Sequence, residues 1–469
     1  MEEKIIIALE IASSKIKGAI GTVDSTGTLS VKAVEEEKIA DIVRYGCILN
    51  VVETADAVRK VVQRLEQSVA PRKVEGVYLS IGGRSLASET VDVERRFASE
   101  TEITHDILDE IIHESLNRPL DDRSVIRALM RETRVDNTTT QRPVGTFGQS
   151  ITARLSLVSC RNQLLKNLTT VIEDRIGLKI NDIYARPLIE ADLVLQSDEK
   201  KLGCMLVDFG AETTSVAIYK GGVLIHLAVL PMGSRNITRD ITTLNYLDDK
   251  AEELKRTFGN AMPGAPEGPA FRPADATDVV AVNNHVAARA GEILLNVAEQ
   301  LKYAGVTASQ LPGGIVMVGR GANLKGLAQR LEQILPGMKV RIGNSGGKVR
   351  ILDGRIQSAD AVDVIAILAA AARNPRECLS RKPEPKPTAE VPEKVVREEK
   401  PVQPVQAEKP VEKPVEKPVE KPAQKPVPTP VYHEAPKPVR PKQPSKFVKF
   451  YEDLKNKLVS SVYDDTEDE

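Results

Sequence analysis

A strand–turn–strand stretch at residues 202–222, LGCMLVDFGAETTSVAIYKGG, constrains the fold more than any other part of the sequence. Its apolar runs CMLV and SVAIY are typical of buried strands, and the closing KGG is a turn signal. The turn between them contains Asp208, Gly210, Thr213 and Thr214. Such a turn can present N–H groups and hydroxyls to phosphate, with the carboxylate beside a hydrated divalent cation. Taken alone, the stretch fits an ordinary polar hairpin equally well.

The same pattern occurs a second time near the start of the chain. The run IIIAL is followed by the turn EIASSK and by a return run, IKGAIG. Glu10 occupies the acidic position of this turn, and its polar side chains come from Ser13, Ser14 and Lys15. Two such turns on two halves of one chain indicate a pair of phosphate-binding hairpins.

A glycine-rich loop near residue 320 completes the constellation. The strand-like run GGIVMV leads into GRGANLKGL, where a helix is predicted to begin near Leu324. Glycine lets the backbone approach a ligand closely, and a helix N-terminus favours negative charge. Gly319 and Gly321 therefore fit a nucleoside-binding loop. The two acidic turns and this loop together resemble the actin-like ATPase superfamily.

The resemblance narrows to the FtsA family of bacterial cell-division proteins. The matching phrases, in order, are GCMLVDFGAETTSVAIYKGG, VLPMGSRNITRDI, AEELK ahead of GNAM, and VMVGRGANLKGL. The match covers about residues 5–372, and a polar segment at 84–159 falls where that family carries its distinctive subdomain. The resemblance implies an α/β, actin-like two-lobed fold with duplicated sheet-and-helix domains and an FtsA-type insert subdomain.

The resemblance also implies a nucleotide site that takes ATP and Mg²⁺. Asp208 and Glu10 would hold the metal, and no residue receives a catalytic role. The residues implied to lie at the phosphates are Ser13, Ser14, Lys15, Asp208, Gly210, Thr213, Thr214, Gly233 and Ser234. Those implied to hold the adenosine are Glu252, Lys255, Gly319, Gly321 and Ala322. Without the family, Glu252 and Lys255 fit a solvated ion pair equally well.

Five residues depart from the family pattern around these loops. Glu10 and Ala12 stand in place of Asp-x-Gly, Ala211 and Glu212 follow where a second glycine is usual, and Arg320 replaces a glycine. The longer acid and the methyl group crowd the phosphate side, and Glu212 adds negative charge beside a polyphosphate. We therefore expect ATP binding with a weak ATPase activity at most, and a main role that is structural.

Charge and cysteine content exclude several classes of function. The 469 residues carry a net charge of −1, which gives no argument for nucleic-acid binding. The four cysteines and five histidines show neither metal spacing nor a disulfide framework. The chain begins with MEEK rather than with an apolar signal segment, so a cytosolic protein is expected.

The sequence divides into a globular part and a tail. The predicted segments are a first lobe at 1–83 and 161–196, an insert subdomain at 84–160, a second lobe with the nucleotide-binding loops at 197–355, a return helix to the first lobe at 356–380, a linker at 381–445, an amphipathic helix at 446–463 and an acidic end at 464–469. In the insert, one helix is predicted at 104–116 and strands at 125–131 and 150–158. Because it carries no candidate catalytic group, the insert is assigned to interaction; a decorated loop region is the alternative.

The tail indicates a tether. Residues 381–445 are dominated by Pro, Lys, Glu and Val, a composition that forms no core and predicts a disordered, semi-rigid linker. After it comes an apolar stripe at helical spacing, formed by Phe447, Phe450, Tyr451, Leu454, Leu458 and Val462. Neighbouring lysines exclude a spanning helix and favour one that lies on an anionic inner leaflet. A helix that docks on a partner protein is the alternative, and the acidic end weakens lipid attraction.

These features and the resemblance predict a peripheral protein on the cytoplasmic face of the inner membrane, at the division septum. It would form filaments with itself, hold FtsZ polymers to the membrane and recruit other divisome proteins. The alternatives are a sugar-kinase-like or chaperone-like ATPase and an actin-like scaffold for pilus assembly or cell shape. A kinase needs a further carboxylate aimed at a substrate hydroxyl, and no such acid stands out in the sequence.

Overall fold

The computed structural model describes residues 3–264, 278–345 and 347–381. Buried side chains in these residues form three hydrophobic clusters. One is centred on the first lobe and also includes second-lobe residues such as Leu206, Leu227 and Val316, one lies within the second lobe, and one lies in the insert. The predicted linker beyond Arg381, the amphipathic helix at 446–463 and the acidic end lie outside the described residues, as do the six predicted membrane-binding residues.

Strands and helices follow one another along the described residues, and each series is numbered in chain order. The strands are β1 (Lys4–Ile11), β2 (Lys15–Val23), β3 (Leu29–Lys38), β4 (Val43–Arg44), β5 (Cys47–Ile48), β6 (Gly76–Ile81), β7 (Ala87–Glu102), β8 (Arg123–Val135), β9 (Thr138–Thr140), β10 (Phe147–Arg161), β11 (Lys179–Ala185), β12 (Cys204–Phe209), β13 (Thr214–Lys220), β14 (Val223–Leu230), β15 (Ile315–Val318), β16 (Val340–Ile342) and β17 (Arg350–Ile351). The helices are α1 (Val51–Gln67), α2 (His105–Leu116), α3 (Asn162–Thr169), α4 (Arg186–Val194), α5 (Ser197–Leu202), α6 (Ser234–Thr242), α7 (Asp248–Phe258), α8 (Val279–Tyr303), α9 (Leu327–Ile334) and α10 (Val362–Ala371). A π-helical turn, Thr170–Ile176, continues α3, and short 3₁₀ turns lie at Ala308–Gln310 and Arg320–Asn323.

The two lobes are built on sheets of the same design. The first-lobe sheet has the order β11-β6-β1-β2-β3-β17, and the second-lobe sheet has the order β14-β13-β12-β15-β16. In each sheet three antiparallel strands, β1–β3 or β12–β14, are extended by two parallel ones, β6 and β11 or β15 and β16. The predicted α/β fold with duplicated sheet-and-helix domains is confirmed.

The duplication places the two acidic turns at equivalent positions. Glu10 is the register partner of Lys17 in the first hairpin, and Asp208 is the partner of Ser215 in the second. In both hairpins, the residue two positions after the acid donates the backbone hydrogen bond that closes the turn. The Ala12 N–H donates to the Lys15 carbonyl at 3.1 Å, and the Gly210 N–H donates to the Thr213 carbonyl at 2.9 Å. Both turns leave the carboxyl-terminal end of a central strand, so they face the same cleft.

The insert is a four-stranded antiparallel sheet, β7-β10-β8-β9, with α2 packed on it. The predicted helix and the strands β8 and β10 are present, but the sequence patterns do not predict β7. This strand is rich in Ser, Glu and Arg, and its side chains alternate between half-buried and exposed. An antiparallel sheet with one face in water tolerates such polarity, which makes the strand resemble a loop in sequence.

The return helix α10 packs on the first lobe. Val364, Ile365 and Leu368 are fully buried in the cluster that also contains β1 and β2. Beyond α10, the Cys378 N–H donates to the Ile5 carbonyl at 2.9 Å, which fixes the last described segment to the edge of this lobe. None of the helices in the described ranges has the length and apolar character needed to cross a membrane.

We predict that Ile365→Ala destabilises the protein by about 2–5 kcal/mol, because the substitution leaves a cavity in the first-lobe core. Leu295→Ala is the matched control, since it removes the same number of carbon atoms from an exposed site on α8. The control should change the free energy of unfolding by no more than about 0.5 kcal/mol. Urea denaturation measures both, and equal losses in the two variants would contradict this placement of α10.

Candidate functional site

The floor of the cleft between the lobes is built around the guanidinium of Arg186. Its Nη1 donates to Glu10 Oε1 at 2.7 Å, and its Nη2 lies 3.0 Å from Asp208 Oδ2. The side chain of Arg186 is 10% exposed, and those of Glu10 and Asp208 are 2% and 6% exposed. One buried cation therefore joins the acids of the two turns, one from each lobe.

Local sequence features hold Arg186 in this position. It is the first residue of α4, followed by Pro187, and α4 leaves the first-lobe sheet directly after β11. Gly82, just after β6, provides the space, because a Cβ there would lie 2.6 Å from the guanidinium. Ser80 donates a hydrogen bond to Glu10 and fixes its second carboxylate oxygen. The sequence patterns give Arg186 no site role. The only signals are weak: Arg186 precedes a proline at a helix start, and the pair Gly82-Gly83 follows another strand of the same sheet.

Glu190 adds a further buried acid one helical turn after Arg186. Its Oε1 lies 3.9 Å from Arg186 Nε, and its Oε2 has no hydrogen-bond partner among the described residues. Burial raises the pKa of Glu190 well above its ordinary value, and the Asp208 carboxylate raises it further, although Arg186 acts in the opposite direction. Asp363 and Glu10 also raise the pKa of Glu190. The buried surroundings of Glu190 therefore favour its protonated form.

The pKa values of the two acids that contact Arg186 are shifted in the same direction as that of Glu190. Burial raises the pKa of Glu10 and that of Asp208, and the charge of Arg186 opposes both shifts. At the edge of the cluster, Lys17 Nζ pairs with Asp363 Oδ2 at 2.6 Å, and this contact ties β2 to α10. The floor of the cleft therefore carries more acids than cations, and its charge balance depends on Arg186 and Lys17.

A divalent metal does not fit between Glu10 and Asp208. Mg²⁺ needs carboxylate oxygens and waters in a regular octahedron, whereas these two carboxylates already bind the guanidinium. Arginine remains charged at any pH that the fold survives, so it cannot yield its place by losing a proton. Across the part of the chain that the structure describes, no group of three or more His, Cys, Asp or Glu side chains could hold a metal ion.

The second turn contains an internal anion, Glu212, which is almost fully buried. Its Oε1 lies 2.9 Å from Arg44 Nε, 3.4 Å from Arg235 Nη1 and 3.3 Å from Arg239 Nη2. Its Oε2 accepts the Tyr45 backbone N–H at 2.8 Å. The negative charge expected to face a phosphate is therefore compensated within the protein. Since Arg44 and Tyr45 belong to the first lobe, Glu212 also connects the lobes.

The polar side chains of the first turn have partners inside the protein. Ser13 Oγ accepts the Gly46 N–H at 2.9 Å, and Lys15 Nζ pairs with Glu36 at 2.7 Å. Ser14 is only half-buried. Because Glu36 is partly exposed to solvent, an incoming phosphate could compete with it for Lys15 more easily than with a buried partner.

The hydroxyl groups of the second turn do not both reach the cleft. Thr214 Oγ1 donates to the Met232 carbonyl at 2.9 Å, which fixes the segment that leads into α6. Thr213 is buried as well, and its carbonyl closes the turn through Gly210. The Thr214 hydroxyl is therefore engaged within the protein, and the contact of both threonines with phosphate stays a prediction.

The N-terminus of α6 is packed directly on this turn. The Ser234 N–H donates to the Gly210 carbonyl at 3.0 Å, and the Arg235 N–H donates to the Ala211 carbonyl at 2.7 Å. Gly233 makes the contact possible, because a Cβ there would lie 2.7 Å from each of those carbonyl oxygens. The first two amide donors of the helix are therefore engaged by the turn.

Glu252 and Lys255 form an ion pair that is only partly solvated. Lys255 Nζ lies 2.6 Å from Glu252 Oε2, 2.8 Å from Thr238 Oγ1 and 3.1 Å from the Ser234 carbonyl. Lys255 is buried, while the Glu252 side chain is 46% exposed. Burial lowers the pKa of Lys255, and the Glu252 carboxylate opposes that shift. The pair connects α7 to the start of α6, beside the second turn.

The glycine-rich loop contacts the second turn from the other side. Gly319 has a φ of +84°, and a Cβ there would lie 2.5 Å from Asp208 Oδ1. A Cβ on Gly321 would overlap the Phe209 ring, and Ala322 is buried next to it. These glycines allow the loop to approach the second hairpin. The predicted helix start near Leu324 is wrong, because the loop continues as a 3₁₀ turn and α9 begins at residue 327.

The structure thus brings the predicted site residues together from five segments of the chain. The cleft around Arg186 is surrounded by both turns, the start of α6, the buried face of α7 and the glycine-rich loop. At the cleft mouth, Arg320 of the loop lies 3.6 Å from Glu36 of the first lobe. The cleft is therefore closed by ion pairs at its floor, at the second turn and at its mouth.

Comparison with known protein families gives two matches. Residues 205–376 match the model described as cell division protein FtsA, and residues 83–159 match the SHS2 domain inserted in FtsA. Together the two models span more than half of the 469 residues.

Curated relatives agree with these matches. The cell division protein FtsA of Porphyromonas gingivalis is 28% identical over 340 residues, which are 71% of this chain and 71% of the relative. The FtsA of Escherichia coli strain K12 is 27% identical over 363 residues, which are 73% of this chain and 84% of the relative.

Among solved structures, a chain of the PilM-PilN type IV pilus biogenesis complex has a similar fold. It aligns with a TM-score of 0.57 and 16% identity, and the alignment covers 78% of this chain and 98% of that one. At this identity the likeness concerns the fold alone, and it supports the actin-like two-lobed architecture.

We predict that Glu190→Gln changes the pH dependence of stability. A carboxyl group whose pKa is raised in the folded protein does not affect stability below its ordinary pKa of 4.5. As the pH rises from there towards the folded pKa, the group progressively lowers the free energy of unfolding. Because glutamine cannot ionise, the variant should gain stability relative to wild type as the pH rises above 4.5, the ordinary pKa of the glutamate side chain. The gain is at most about 1.4 kcal/mol per pH unit.

Urea denaturation at several pH values measures this gain. Glu299→Gln serves as the control, since it removes a carboxyl from the exposed pair with Lys302 on α8. The raised pKa would be contradicted if the difference in free energy of unfolding between wild type and Glu190→Gln did not change with pH. It would also be contradicted if Glu299→Gln showed the same change with pH as Glu190→Gln.

Proposed function

Since this chain belongs to the FtsA family of actin-like cell-division proteins, we propose that it tethers FtsZ filaments to the cytoplasmic membrane at the division septum. In this role the protein assembles into filaments, binds FtsZ and recruits later divisome components. The proposal rests on one observation above all: a duplicated two-lobed fold carries, between β6 and α3, the segment that matches a domain inserted in FtsA.

The insert is the proposed site of self-association or recruitment. Its base is fixed to the second lobe, because Ser88 Oγ accepts the Leu227 N–H at 2.8 Å and Ser156 Oγ donates to the Leu224 carbonyl at 2.9 Å. At the start of β10, Phe147 is 61% exposed. An insert that is anchored at its base and presents an exposed aromatic side chain is suited to contact another protein.

The cleft is the proposed binding site for an adenine nucleotide. Lys255 offers a buried ammonium group beside the start of α6, and Lys15 is paired with the partly exposed Glu36. A polyphosphate can replace Glu36 or Glu252 as the anionic partner of these lysines, because both carboxylates are partly exposed and can return to water. Mg²⁺ is not part of this proposal, since its predicted ligands bind Arg186. We propose a weak ATPase at most.

The tail is the proposed membrane anchor. Residues 446–463 combine an apolar stripe with lysines, as expected for a helix that lies in the interface of an anionic bilayer. A linker of the composition found at 381–445 would reach on the order of 200 Å, at about 3.1 Å per residue in a polyproline conformation. Membrane attachment through this segment leaves the globular part free to assemble.

We predict that the full chain sediments with anionic liposomes and brings FtsZ with it, whereas a chain ending at residue 445 does neither. Leu454→Glu should abolish sedimentation, because it places a charge on the apolar stripe. Asn456→Glu is the matched control, since it adds the same charge off the stripe and should retain most of the binding. Sedimentation of the shortened chain, or equal loss in both variants, would contradict the anchor.

We predict that Lys255→Ala weakens ATP binding by at least about tenfold, which corresponds to about 1.4 kcal/mol. Lys250→Ala is the control, because Lys250 forms an equivalent pair with Glu253 on the exposed side of α7. Titration with a fluorescent ATP analogue gives both affinities, and thermal unfolding verifies that each variant is folded. Unchanged affinity in Lys255→Ala would place the nucleotide elsewhere.

A further inference from the structure

The buried charges on the cleft floor form a continuous bridge between the lobes. Glu10 belongs to β1 of the first lobe, Asp208 belongs to β12 of the second, and Arg186 begins the helix between them. Both ion pairs are short, at 2.7 and 3.0 Å, and all three side chains are buried. The guanidinium therefore occupies the position at which two acidic turns of a duplicated fold would share a cation.

We propose that Arg186 replaces a divalent cation in this protein and holds the two lobes together without metal. The planar guanidinium can contact one carboxylate through each Nη atom, which a single ammonium group cannot do with the same geometry. The inference concerns the same cleft as the proposed nucleotide site, but it depends neither on nucleotide binding nor on the membrane anchor.

The surroundings of Arg186 are adapted to a guanidinium rather than to a hydrated ion. Gly82 leaves the volume that the guanidinium fills, and a side chain there would collide with it. Gly319 similarly leaves room for the Asp208 carboxylate. A hydrated Mg²⁺ would have to expel Arg186, and a fixed positive charge would then remain buried beside a divalent one.

Glu212 closes the cleft in a complementary manner. Its carboxylate, inside the second turn, contacts three arginine side chains and one backbone N–H, two of these donors coming from the first lobe. An internal cation and an internal anion therefore occupy neighbouring parts of the cleft, and both connect the lobes. This pairing explains how the protein's own charges can stabilise a closed arrangement.

The test is the thermal unfolding of the full chain in Mg²⁺ and in EDTA. Wild type should unfold at the same temperature in both, with and without ATP. Arg186→Gln frees two neighbouring carboxylates, so it should unfold at a lower temperature in EDTA and recover part of the loss in Mg²⁺. The double variant Glu10→Gln with Arg186→Gln should lose this recovery, because only one of the two bridged carboxylates remains.

Arg44→Gln is the control for the second connection between the lobes. It should lower the unfolding temperature through Glu212 but show no response to Mg²⁺. Stabilisation of wild type by Mg²⁺ that disappears in Glu10→Gln would overturn the proposal, and so would an Arg186→Gln variant that Mg²⁺ does not stabilise.

If Arg186→Gln does not fold, a titration of the wild-type chain with Mn²⁺ decides the question. Absence of saturable binding, or binding that persists unchanged in Glu10→Gln, supports an arginine in place of the metal. Saturable binding that Glu10→Gln abolishes shows that the cleft takes a metal and overturns the proposal.

Discussion

At the junction of the two lobes, buried charges are paired beside an apolar cluster to which both lobes contribute. Taking a carboxylate out of water is costly unless a cation and hydrogen bonds replace its hydration. Glu10 and Asp208 lie on different lobes, and one guanidinium contacts both. Removal of Arg186 would leave both buried carboxylates without this cation, so the two acids depend on the same side chain. The position of α4 follows from this requirement, because the helix has to present Arg186 at its first residue.

The departures of this sequence from its family pattern are explained in the same way. The acidic departures place negative charge near a polyphosphate, and each of the three charged departures has a partner of opposite charge in the structure. Glu10 is paired with Arg186, Glu212 with Arg44, and Arg320 with Glu36. All three pairs close contacts around the cleft. A consistent set of compensated substitutions favours a cleft adapted to a closed conformation over one that has merely lost its ligands.

The sequence predicted the fold well because its strongest signals are local. Both hairpins show apolar runs around a polar turn, and their duplication follows from two similar stretches of sequence. Arg186 could not be found in this way, since its partner Glu10 is 176 positions distant and a single ion pair leaves no periodic pattern. The start of α9 was misplaced because Gly319 has a left-handed conformation and the loop first forms a 3₁₀ turn, which a helical pattern does not reveal.

An internal cation changes what the cleft can do. A bound metal enters and leaves with its nucleotide, and it can therefore couple closure of the lobes to turnover. Arg186 is always present and always charged, so closure that depends on it does not respond to hydrolysis. A protein that acts as a tether needs a lasting surface for its neighbours more than it needs a catalytic cycle. The replacement of a metal by arginine is therefore physically consistent with a scaffold whose nucleotide, once bound, contributes to stability rather than to turnover.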